Sequence, residues 1–117
     1  MSFLPNTPIG LNKLETPVNL RIEKIEEDYN EGGSYFYPGN YLFWDSVYGA
    51  SSYIVRIYKD GEYLDYMEVN STHVGLLHLG YPWGSNPGEC TATVTARYGN
   101  NGDFDSDESS PIVIQVT

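Results

Sequence analysis

Apolar and polar positions alternate in short runs along the chain, and turn residues separate the runs. Val18, Leu20 and Ile22 alternate with Asn19, Arg21 and Glu23, which predicts a strand with one face on a core. A second strand is predicted over about 41–45, with Leu42 and Trp44 on one face, and a third over about 53–59, with Tyr53, Val55 and Ile57 inward. Asp60-Gly61 then signals a tight hairpin, because glycine accepts the positive φ that a primed turn requires. The return strand covers 62–69, and a short strand near 72–79 offers Val74 and Leu76 or Leu77 for burial. Ala92, Val94 and Ala96 alternate with Thr91, Thr93, Thr95 and Arg97, and Ile112 to Val116 forms a last apolar strand. Seven short strands with regular turn signals predict an all-β fold, a two-sheet antiparallel β-sandwich.

The connections divide the chain. Residues 1–16 hold Leu4-Pro5 and Thr7-Pro8 without a sustained period, and read as an extended N-terminal arm ahead of a domain over 17–117. The connection 26–40 is long and carries Gly32-Gly33, Pro38-Gly39, Tyr29, Tyr35, Phe36 and Tyr37. It reads as a short extra hairpin packed on the sandwich edge or, alternatively, as a binding loop. A second aromatic connection is Tyr81-Pro82-Trp83-Gly84-Ser85-Asn86-Pro87-Gly88.

Composition narrows the partners more than the fold. With 117 residues and 40% apolar side chains, one ordinary globular domain is expected, and the 11 tyrosines beside Val, Ile and Thr favour strands. A formal net charge of −10 argues against nucleic acid and against anionic membrane surfaces. No apolar run approaches the roughly 20 residues of a membrane-spanning helix, so no membrane insertion is expected. The N-terminus has no basic stretch followed by an apolar one, so no signal peptide is visible, and Met1 opens either a whole small protein or a piece of a longer one. A single cysteine, Cys90, leaves no internal disulfide, which suits a reducing compartment or a bacterial or phage origin.

Several of these elements in order, over residues 17–117, resemble a fibronectin type III domain: Trp44 ending a strand, the Val47-Tyr48-Gly49-Ala50 turn into Tyr53-x-Val55-x-Ile57, Asp60-Gly61, Val94-x-Ala96, and Ser109-Ser110-Pro111 before the terminal strand. The resemblance implies a β-sandwich used to hold, space and bind, with Trp44 filling the centre between the sheets. It departs from the family at Cys90, where a strand tyrosine often clasps backbone through its hydroxyl, and in the length of the 26–40 connection. There is no Arg-Gly-Asp tripeptide to support integrin recognition.

Residues able to carry chemistry are few. Asp103, Asp105 and Asp107 stand at alternate positions, a spacing of oxygen ligands that Ca²⁺ can use, but the calcium-loop pattern fails at Ile114. The loop reads as solvated, with calcium the lesser alternative and no other cofactor expected. His73 and His78 are five apart, which on a strand puts them on opposite faces. Cys90 lies in no nucleophile motif, and no phosphate loop, dinucleotide fingerprint or zinc spacing occurs, so a binding rather than an enzymatic role is expected. The candidate ligand-binding residues are Tyr35, Phe36, Tyr37, Tyr81 and Trp83, flat rings in connections that suit a protein partner or a glycan. The expected role is a protein-interaction or structural accessory module of a bacterial surface or phage-particle assembly, extracellular, cell-surface or virion-associated. The alternative is a carbohydrate-binding module using the loop aromatics.

Overall fold

A computed structural model of the chain describes residues 13–31, 34–36, 39–75, 90–99 and 102–114. Nine strands run through them: β1 Arg21–Ile25, β2 Tyr29–Glu31, β3 Ser34–Phe36, β4 Gly39–Phe43, β5 Ser52–Lys59, β6 Glu62–Val69, β7 His73–Gly75, β8 Cys90–Arg97 and β9 Ile112–Ile114. Seven of them form two antiparallel sheets, ordered β1-β4-β7 and β6-β5-β8-β9. The remaining two, β2 and β3, pair as a hairpin inside the 26–40 connection, and the packing of its rings lies outside what is described. The all-β sandwich read from the alternation is the observed fold.

One core joins the sheets. Leu42, Trp44 and Val74 from the three-stranded side meet Tyr53, Val55, Ile57, Cys90, Ala92, Val94, Ala96 and Ile114 from the four-stranded side. Trp44 is 2% exposed and meets Tyr53 edge-on at 5.5 Å between ring centroids. Asp60 and Gly61 both take positive φ, 51° and 87°, the primed turn that the sequence predicts.

The first strand departs from its expected start. Val18 is 59% exposed, and the strand begins only at Arg21. Asn19 sits at φ 61°, a left-handed conformation that asparagine tolerates, and this breaks the alternation ahead of Leu20 and Ile22. Leu20 and Ile22 still pack on the core. The end of the expected arm belongs to the core as well: Leu14 is 5% exposed and its N–H donates to the Phe104 carbonyl at 3.0 Å. Cys90 is buried, and burial pushes its thiol above the ordinary range. A hydroxyl clasp exists elsewhere, because the Val47 N–H donates to the Tyr53 hydroxyl at 2.9 Å across the β4–β5 turn.

Candidate interaction surface

Of the six exposed large apolar side chains among the described residues, Tyr63, Leu64, Tyr66 and Val113 lie on the four-stranded sheet, and Val18 and Tyr48 lie in connections. β6 lies at the edge of that sheet and pairs only with β5 among the described residues. Its first five residues are exposed, including Tyr63 at 53%, Leu64 at 43% and Tyr66 at 58%. Simple alternation would send Tyr63 and Tyr66, three apart, to opposite faces. The register prevents this. Ile57 faces Asp65 and Tyr58 faces Tyr63, so Leu64 is an unpaired bulge residue. Tyr63 therefore shares a face with Tyr58, and Tyr66, opposite Arg56, shares that same face.

A polar network fixes the floor. The Ser52 hydroxyl donates to Glu68 at 2.7 Å, and Arg97 reaches Glu68 at 3.6 Å and Asp105 at 3.2 Å. Thr93 and Tyr58 both donate to Glu108 Oε1, at 2.6 and 2.7 Å. Burial alone would raise the Glu108 pKa, but those two hydrogen bonds and the Arg56 charge outweigh it and hold the carboxyl below its usual range. Burial, then Glu108 itself, pushes the Tyr58 hydroxyl upward. Arg56 donates to Thr95 Oγ1 at 2.8 Å and enters no ion pair among the described residues. Above this floor Tyr63 and Tyr66 border a shallow cleft of about 320 Å³ with Ile54, Arg56 and Arg97.

The opposite sheet carries a second, half-buried aromatic group on its outer face. Phe43 and His73 stand 5.7 Å apart between ring centroids, Tyr41 lies beside both, and Arg21 lies 5.8 Å over the Phe43 ring. Burial lowers the His73 pKa.

Of the residues named from the sequence, Tyr35 and Phe36 lie on β3, where only the backbone is described, and Tyr37, Tyr81 and Trp83 lie outside the described residues, as does His78. Asp103 sits in a 3-10 turn over Gly102–Phe104, Asp105 pairs with Arg97, and Asp107 pairs with Lys13 at 2.6 Å. The turn breaks the alternation that would have aligned the three carboxylates. Among the described residues no group of three His, Cys, Asp or Glu side chains is placed to hold a metal ion. Sequence reasoning passed over Tyr63, Tyr66 and Arg56. The available signal was Tyr63-Leu64 and Tyr66-Met67, two adjacent apolar pairs that violate a period of two inside a strand.

No protein-family model, no curated protein and no solved structure matches this chain.

Proposed function

We propose that the chain is a non-enzymatic interaction module with a fibronectin type III-like sandwich, an accessory domain of a bacterial surface or phage-particle assembly, which binds a protein partner through the outer face of its four-stranded sheet. Three strands facing four, antiparallel throughout, support the family reading. The assembly setting rests on composition: one acidic, disulfide-free domain. The binding face rests on one observation, that β6 exposes Tyr63, Leu64 and Tyr66 beside Arg56. Tyrosine and arginine are residue types that anchor protein interfaces, and the tyrosine ring, with two side-chain torsions, loses little entropy on docking. A photo-crosslinking residue placed at Tyr66, in the organism of origin, tests this against the same residue placed at Glu23 on the other sheet. Specific protein adducts from position 66 alone are expected. Equal adducts from both positions, or none from position 66, would refute the assignment of the face.

A further inference from the structure

Resting on that reading, we infer that β6 is an acceptor edge, which takes up an extended partner segment of alternating basic and apolar residues as a further strand. An edge strand presents backbone donors and acceptors to a further chain, and β6 offers such an edge over eight residues, with the Tyr66 N–H donating meanwhile to Asp65 Oδ1 at 2.7 Å. The bulge at Leu64 sorts the first half of this edge by character; beyond it Glu68, opposite Ile54, lies on the tyrosine side, and Met67 and Val69 turn to the core. Tyr63 and Tyr66 fall on the outer side, with Tyr58 and Arg56 opposite them. Glu62 faces Lys59 and Asp65 faces Ile57, so these two of the three β6 carboxylates fall on the other side. Without the bulge, Glu62 and Asp65 would be split between the faces as the two tyrosines would.

The charges select the occupant. Glu68 is already held by Ser52 and Arg97, whereas Glu62 and Asp65 enter no ion pair among the described residues, Asp65 accepting only the Tyr66 N–H at 2.7 Å. β6 itself carries no cation. A second copy of the chain docked edge to edge would add another net −10 and place six carboxylates along one ribbon, which opposes self-pairing. A strand alternating lysine or arginine with apolar residues matches both sides at once, its cations beside Glu62 and Asp65 and its apolar side chains against Tyr63 and Tyr66.

The test uses the whole chain, ¹⁵N-labelled, and two synthetic blocked peptides, one alternating lysine with valine and one with glutamate in place of lysine. At low ionic strength the lysine peptide is expected to shift resonances of β6 and slow its amide exchange by about tenfold or more, with the glutamate peptide silent. The double variant Glu62→Lys/Asp65→Lys alters two exposed side chains, removing the Asp65 acceptor of the Tyr66 N–H and setting a lysine opposite Lys59. It is expected to stay folded with the sandwich amide pattern intact, lose the lysine peptide and respond to the glutamate peptide. Equal responses to both peptides, shifts scattered over the acidic surface, unprotected β6 amides, or concentration-dependent self-association through β6 would each overturn the inference. Adducts at position 66 without strand addition would sink this inference and leave the binding face standing; strand addition without adducts at 66 would do the reverse.

Discussion

Ser109→Ala is the most informative single change for the fold. Ser106 and Ser109 are three apart, while the residues they bind, Ala96 and Val94, are two apart, so this segment cannot follow β8 as a regular strand. Each serine replaces the missing ladder by itself. Its N–H donates to the carbonyl of its β8 partner at 2.9 Å, and its Oγ accepts the same partner's N–H, at 2.8 Å from Ala96 and 2.9 Å from Val94. Each Oγ also donates to the carbonyl of the next residue, Asp107 or Ser110. Val94 is fully buried and Ser109 is 6% exposed, so water does not substitute for the lost acceptor. Alanine thus orphans a buried N–H, at a cost of about 1–3 kcal/mol. That is a large share of the roughly 5–15 kcal/mol that holds a domain together. Urea unfolding should show a lower midpoint with unchanged slope, and the melting temperature should fall by about 3–6 °C for each kcal/mol. Amide exchange at Val94 should quicken, while Ser109→Thr, which keeps the oxygen, should stay within about 1 kcal/mol of the parent. An alanine variant within about 0.5 kcal/mol of the parent, with Val94 still protected, would refute the clip.

Trp44→Ala should cost about 3–5 kcal/mol through lost burial and a cavity, whereas Trp44→Phe should cost clearly less, because the Trp44 Nε1 is buried without a hydrogen-bond partner among the described residues and phenylalanine removes that donor. Chemical denaturation compares the two, and a phenylalanine variant as unstable as the alanine variant would contradict this account. Glu108 links stability to pH. Its folded pKa lies below the ordinary glutamate value, so its contribution is complete above the unfolded value and is lost as pH falls through the folded one. Glu108→Gln should therefore flatten the acid limb of a plot of urea midpoint against pH below about 4.5, and an unchanged limb would rule the linkage out.

Periodicity was sufficient for the sandwich. Tyr53-x-Val55-x-Ile57 and Ala92-x-Val94-x-Ala96 lie inward, because a strand can bury one face only by alternating, and Asp60-Gly61 turns as its residues demand. Val18 escaped because one left-handed asparagine shifts the phase of everything before it, and Leu14 because a single apolar residue has no period to reveal it. The candidate surface was less legible still. Alternation assigns faces only while the register is regular, and the bulge at Leu64, set by how β6 meets β5, gathers Tyr63 with Tyr66 and Glu62 with Asp65. The serine clips likewise depend on a mismatch in spacing between two segments that the chain order alone does not bring together. Local pattern thus determined which residues form strands and which of them face the core. Pairing between strands decided what the outer face displays, because a one-residue slip costs the core little at an edge and changes every side chain beyond it.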